Sequence, residues 1–120
     1  MFDSCGYLTS VDLSNFNTEN IYYMSYLFNQ CGSLTSLNLS NFNTKNVTDM
    51  SFMFFGCGML EHLIINPKKF MLDNVIDMKY MFYECFSINN REKVYLFFQK
   101  RLKQLRRVFF GYEMTIELKK

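Results

Sequence analysis

Residues 31–56 read CGSLTSLNLSNFNTKNVTDMSFMFFG, and this stretch decides the fold because the chain contains it more than once. Residues 5–30 match it at fifteen of 26 positions, a likeness that chance does not produce. A third, more diverged copy begins at Cys57 and is two residues longer, and a fourth breaks off after Ile88. The sequence therefore predicts about three repeated units, with the chain opening in the middle of a unit.

The first half of each unit predicts a short strand. Leu34, Leu37 and Leu39 form the Leu-x-x-Leu-x-Leu pattern of a leucine-rich repeat. From Leu37 onward apolar and polar residues alternate, as they do in a strand that buries one face. We expect one parallel strand from each unit, near residues 10–14, 36–40 and 62–66.

The second half of each unit predicts a short helix. In the quoted unit the apolar residues Val47, Met50, Met53 and Phe54 follow helical spacing. A glycine at position 56 can end such a helix. We expect helices near residues 22–29, 48–55 and 76–84.

One such unit cannot bury its apolar face alone, whereas stacked units can. In a stack, equivalent residues would form apolar columns, such as Leu34 with Leu60 and Phe42 with Phe70. We therefore predict an α/β leucine-rich-repeat solenoid over residues 1–88, with parallel strands on one face and short helices on the other.

The text LTSLNLSNFNTKNVTDMSFMFFGC, residues 34–57, resembles the BspA-like leucine-rich repeat of bacterial and protist surface proteins. The resemblance extends over residues 1–88. It implies a right-handed solenoid without catalytic residues that serves adhesion or protein binding, at the cell surface or after secretion. The N-terminus has no basic stretch followed by an apolar one, so no signal peptide is visible and a cytoplasmic location stays open.

Residues 89–120 do not repeat, and their charge differs from that of the body. Residues 1–90 carry four lysines against eight Asp and Glu, whereas residues 91–120 carry nine Lys and Arg against three Glu. An apolar stripe with helical spacing runs through this tail, and an alternating strand pattern follows at residues 112–118. The stripe consists of Val94, Phe98, Leu102, Leu105, Phe109 and Tyr112.

The tail allows three interpretations. As a C-terminal cap, its basic amphipathic helix and strand would cover the cross-section of the last unit. As a docking element, the helix would bind an anionic membrane surface or nucleic acid phosphates. The third interpretation is a poorly ordered remnant of a truncated gene. The candidate basic surface comprises Lys100, Arg101, Lys103, Arg106 and Arg107.

The cysteines recur at the repeat period. Cys5, Cys31, Cys57 and Cys85 are spaced by 26, 26 and 28 residues, which fits equivalent packing positions better than a disulfide or metal pattern. We expect buried, reduced thiols. The single histidine, His62, has no serine, cysteine or carboxylate partner when the units are aligned. We therefore expect no enzyme activity, no metal and no cofactor.

Asparagine also recurs at the repeat period. One set is Asn15 and Asn41, and the other is Asn20, Asn46 and Asn74. The recurrence could indicate ladders of asparagine along the stack. Because asparagine favours turns and helix caps, we instead expect these side chains to stabilise turns.

The predicted function is non-catalytic binding of a protein partner, with no small-molecule substrate. The alternative is a protein that docks on an anionic membrane or nucleic acid through its basic helix. The outward residues of the predicted strands form the candidate binding face. They are Ser10, Asp12, Ser14, Ser36, Asn38, Ser40, His62, Ile64 and Asn66.

Overall fold

The computed structural model of the chain describes residues 2–89 together with Val94, Phe97, Phe98 and Lys100. Two strands are assigned in this part: β1, Ser36–Leu39, and β2, His62–Ile65. They are parallel, and Ser36 pairs with His62 while Leu39 pairs with Ile65. The pairing joins residues 26 positions apart, so neighbouring units lie side by side in the register of the repeat.

The two strands form where apolar and polar residues alternate. Leu37, Leu39 and Leu63 are buried, while Asn38 and Ile64 point to solvent. The third predicted strand, at residues 10–14, is not assigned as a strand.

The side chain of Asn41 accounts for part of this difference. Its amide donates to the carbonyl oxygens of Leu13 and Ser14 at 3.1 and 3.2 Å, and to that of Phe16 at 3.0 Å. These carbonyls therefore bond to a side chain and not to a backbone ladder. Leu13 is nevertheless buried, so the first unit packs on the second without a regular strand pair.

The segments predicted to be helical, 22–29, 48–55 and 76–84, form successive turns and not helices. Alternate backbone N–H groups in the first unit bond to carbonyls of the second, at 2.5 to 3.0 Å. These donors are Met24, Tyr26, Phe28 and Gln30, and their acceptors are Asp49, Ser51, Met53 and Phe55. The second unit bonds to the third in the same way, from Met50, Phe52, Phe54 and Gly56 to Asp77, Lys79, Met81 and Tyr83.

The remaining N–H groups of these segments close short turns. Leu27 donates to the carbonyl of Met24 at 3.3 Å, and Met53 to that of Met50 at 3.3 Å. A helix needs bonds to the fourth preceding residue, whereas these reach only the third. Because three-residue turns also place apolar residues three apart, they reproduce the spacing that suggests a helix.

Positive φ angles interrupt any helix at two positions in each unit. One column is Tyr26, Phe52 and Tyr80, with φ of 63°, 59° and 56°. The other column is Ser4, Gln30, Gly56 and Glu84, with φ of 60°, 57°, 75° and 63°. Left-handed backbone is costly for a residue with a side chain. Five of these residues donate their backbone N–H to the neighbouring unit, which holds this conformation in place: Ser4, Tyr26, Gln30, Phe52 and Gly56.

Stacked phenylalanine rings form the centre of the core. The rings of Phe2, Phe28, Phe54 and Phe82 follow one another at centroid distances of 5.5, 5.9 and 5.2 Å. Their planes deviate by 4°, 3° and 15°. Identical side chains at the repeat period therefore pack as a column. Among the described residues, no helix has the length and apolar character needed to cross a membrane.

Candidate protein-binding face

The candidate face is a regular set of outward side chains. On the two strands, Ser36 lies beside His62 and Asn38 lies beside Ile64. All four are exposed, as are Ser10, Asp12 and Ser14 of the first unit. Ser40 and Asn66 are partly buried. The structure thus places the nine candidate residues along one side of three adjacent units, although only the last two units contribute strands.

Hydrogen bonds between residues two apart stiffen the ends of this face. The Asp12 carboxylate accepts from the backbone N–H and the hydroxyl of Ser14, at 3.0 and 2.7 Å. The Asn38 side-chain oxygen accepts from the N–H of Ser40 at 3.0 Å. These Asx turns hold the polar side chains at fixed positions, as binding residues require.

A groove opens between the first and second units at this face. It has a volume of about 170 Å³. Its walls are formed by Val11, Asp12, Leu13, Ser14, Asn38, Ser40 and Asn41. Hydrogen bonds from the Ser14 hydroxyl and then from the Ser14 backbone lower the pKa of Asp12. The groove therefore carries a stable negative charge.

His62 lies at the start of β2 with its side chain exposed. No group of three or more His, Cys, Asp or Glu side chains in the described part of the chain is placed to hold a metal ion. The most exposed apolar group on the face is Ile64, at 47%. The face is consequently polar with a single aliphatic projection.

The cysteine thiols tie each unit to the preceding one. Cys31, Cys57 and Cys85 donate to the carbonyls of Phe2, Phe28 and Phe54 at 2.9, 3.1 and 2.8 Å. All four described cysteines are free thiols. Cys31 and Cys57 are buried, but Cys5 and Cys85 are only partly so, which corrects the prediction that all are buried. The partly buried pair lies in the first and last units.

Burial makes the central thiols poor nucleophiles. It raises the pKa of Cys31 to about 11. The neighbouring Cys85 thiol, together with burial, raises the pKa of Cys57. A thiol must lose its proton to react or to bind a metal. Cys31 and Cys57 therefore serve packing and hydrogen bonding.

The asparagines do more than the predicted turn stabilisation. The amides of Asn46 and Asn74 donate to the carbonyls of Glu19 and Lys45, at 2.7 and 2.6 Å. Asn41 likewise bridges to the first unit. The amides of these three residues link one unit to the next, a role that the turn prediction did not include. The recurrence of asparagine at the repeat period was the feature of the sequence that could have revealed these bonds.

An aromatic surface on the opposite side was not singled out from the sequence. Tyr26, Phe52 and Tyr80 stack with centroid distances of 4.8 and 5.1 Å. Phe55 and Tyr83 stack beside them at 5.5 Å. The recurrence of aromatic residues at positions 26, 52 and 80 could have revealed this row.

Of the candidate basic surface, the structure describes Lys100, which is exposed and helical. Arg101, Lys103, Arg106 and Arg107 lie outside the described residues, as does the predicted strand at 112–118. Val94 and Phe98 of the apolar stripe are described, and both are buried. Phe98 packs edge-on against Phe82 and Phe70, at 5.3 and 6.0 Å.

Comparison with known proteins identifies one family. A family model described as "Mycoplasma protein of unknown function, DUF285" matches residues 1–115. No curated protein and no solved structure matches the chain.

Proposed function

The chain belongs to the DUF285 family, and from this premise we propose that it is a non-catalytic protein-binding module, built as a BspA-like leucine-rich-repeat solenoid. Parallel backbone bonds at intervals of 25 to 28 residues support the solenoid, as do side-chain columns at the same period. The Leu-x-x-Leu-x-Leu text of residues 34–39 supports the leucine-rich-repeat class.

The binding site in this proposal is the strand face. The observation that carries it is the fixed, outward row formed by Asp12, Ser36, Asn38, His62 and Ile64. The wall behind these residues is held by backbone bonds and buried leucines, so the row is preorganised. Preorganised side chains lose little conformational entropy on binding.

The size of the face sets the expected affinity. Standard protein–protein interfaces use about 20–30 residues a side, and the candidate face has nine residues. A single copy should therefore bind weakly, and useful avidity would come from several copies acting together. This fits an adhesion role at a cell surface, where many copies meet one partner.

Site-specific photo-crosslinking tests the proposal. A benzophenone amino acid replaces Ser36 on the strand face in one variant and Ile76, which is 54% exposed, in a matched control. Each is incubated with surface extract from cells that the source organism contacts. We expect a discrete adduct from the Ser36 probe alone. Excess unlabelled protein should suppress it, whereas the double variant Asn38→Arg, His62→Glu should not.

Equal adducts from both positions, or an adduct from position 76 alone, would refute the strand face as the binding site.

The alternative function is docking through the basic tail, favoured by nine Lys and Arg in residues 91–120. Anionic phosphatidylserine vesicles and duplex DNA would then bind the protein with steep salt dependence. Reversal of the charges at Arg101, Lys103, Arg106 and Arg107 would abolish that binding.

A further inference from the structure

We propose that the groove between the first two units binds the guanidinium group of an arginine on the partner protein. This inference rests on the proposed function, because it names the chemistry that the strand face would recognise. The groove lies within that face, and its only charged wall residue is Asp12.

The carboxylate of Asp12 is oriented for an external ligand. Its Oδ1 accepts both hydrogen bonds from Ser14. Its Oδ2 has no partner among the described residues, and the side chain is exposed. The Ser14 bonds fix the side chain without neutralising it, so the second oxygen keeps its charge and its acceptor sites. A cation that reaches it forms a charge-assisted hydrogen bond.

No lysine or arginine of the first unit competes for this carboxylate. The sequence contains no Lys or Arg before Lys45. Among the described residues, an ion pair joins Lys79 to Asp77, with 3.8 Å between the ammonium nitrogen and a carboxylate oxygen. The equivalent positions in the next two units are Asn38 and Ile64, which are uncharged. The negative charge is therefore specific to the first groove, and no cation among the described residues pairs with it there.

The shape and lining of the groove favour arginine over lysine. Its volume of about 170 Å³ is more than ten times the roughly 10–15 Å³ that is needed to hold one water, so a guanidinium group fits. Val11, which is partly exposed, provides an apolar wall against which arginine methylenes can pack. The Ser40 hydroxyl has no partner among the described residues and can accept a second N–H. A planar, forked donor satisfies both polar groups together, which an ammonium on a flexible stem does less well.

NMR titration of the full-length ¹⁵N-labelled protein tests this assignment. The probe is the peptide acetyl-Gly-Arg-Gly-amide, and the matched controls are the same peptide with lysine and with citrulline, which has the shape of arginine without its charge. We expect saturable shifts at Asp12, Ser14, Asn38 and Ser40 with the arginine peptide. The lysine peptide should bind more weakly, and the citrulline peptide should produce no saturable shifts.

Two protein variants sharpen the test. Asp12→Asn keeps an oxygen for the Ser14 bonds but removes the charge, and should weaken binding at least about tenfold. Glu19→Gln removes an exposed charge from the same unit outside the groove, and should leave binding unchanged. Should Asn at position 12 disturb the fold, Asn38→Lys supplies a second test, since an ammonium on the opposite wall should abolish binding.

Several results would overturn the assignment. Equal shifts with arginine and citrulline would show that charge is irrelevant, and equal loss in both acid variants would show unspecific attraction. The crosslinking test is separable from this one. An adduct at position 36 that survives Asp12→Asn would retain the binding face and reject the arginine groove.

Discussion

The two ends of the stack have the same kinds of side chain but bury them differently. At the N-terminal end Phe16 and Ile21 are only partly buried, and with Phe2 and Met24 they line an open cavity of about 150 Å³. At the other end Phe70 is fully buried beneath Phe98. Equivalent residues therefore differ in burial because, among the described residues, one end has a covering neighbour and the other does not.

The sequence of a unit does not by itself determine which of its residues are buried. Phe16, Phe42 and Phe70 occupy equivalent positions, yet only the last two are fully buried. Each unit needs a neighbour on both sides to complete its core. Val94 and Phe98, two of the described tail residues, provide that neighbour for the third unit, which supports the cap interpretation of the tail.

We expect the largest difference in stability between the two ends when one aromatic ring is removed from each end. Phe98→Ala removes a fully buried ring and should lower the free energy of unfolding by about 3–5 kcal/mol. Phe2→Ala removes a partly exposed ring and should cost about half as much. Urea unfolding followed by circular dichroism measures both. Lys100→Ala, at an exposed helical position, is the control and should leave the midpoint unchanged.

A larger loss from Phe2→Ala than from Phe98→Ala would reverse the comparison. It would mean that the open end carries more of the stability, and that the contacts of Phe98 with Phe70 and Phe82 contribute little in solution.

Buried threonines test whether the first unit is as well bonded as the second. The Thr18 hydroxyl bonds to the N–H and carbonyl of Asn43, at 2.8 and 3.0 Å, and the Thr44 hydroxyl bonds to those of Met71. Replacement of either by valine leaves two backbone groups unpaired, which should cost about 2 kcal/mol. Equal losses in thermal unfolding would show that the open end is fully formed.

A much smaller loss for Thr18→Val would indicate that the first unit opens separately from the rest. Hydrogen exchange at the Asn43 amide would then be faster than at the Met71 amide, which provides an independent reading of the same difference.

A smaller effect concerns pH and the cysteine column. The folded pKa of Cys31 is about 11, above its ordinary value of 9.0, so the folded state retains the proton that the unfolded state loses. The stability that this pKa difference contributes is fully present below pH 9 and is lost as the pH rises through 11. Stability should fall by on the order of 1 kcal/mol over this window. The variant Cys31→Ala should show a flatter pH profile, and an unchanged profile would contradict the account.

The sequence predicted the register well because register depends on period. Strands at Ser36–Leu39 and His62–Ile65 follow from the 26-residue repeat and the alternation of leucines. The turns that replace the predicted helices could not be predicted in the same way. Left-handed backbone at Phe52 and Tyr80 has no residue-type signal, since aromatic residues seldom adopt it. The spacing of Met50 and Met53 fits turns and helices equally.

The candidate face was predictable as a set, but the groove within it was not. The strand pattern identifies Asp12, Asn38 and Ser40 as outward residues. It does not tell that Asn41 reaches back to the first unit, or that Ser14 fixes the Asp12 carboxylate. Those features depend on how closely adjacent units approach, which no single unit encodes.

The most direct test of the account is the melting temperature of a chain that ends at Asn89. Its loss of Val94 and Phe98 removes about 1.5–3 kcal/mol per buried apolar side chain, and each kcal/mol corresponds to about 4–8 °C in a domain of this kind. We predict a Tm at least about 10 °C below that of the full chain. The full chain with reversed charges at Arg101, Lys103, Arg106 and Arg107 should melt like the wild type. A shortened chain that melts within a few degrees of the full chain would contradict the cap and favour a docking tail.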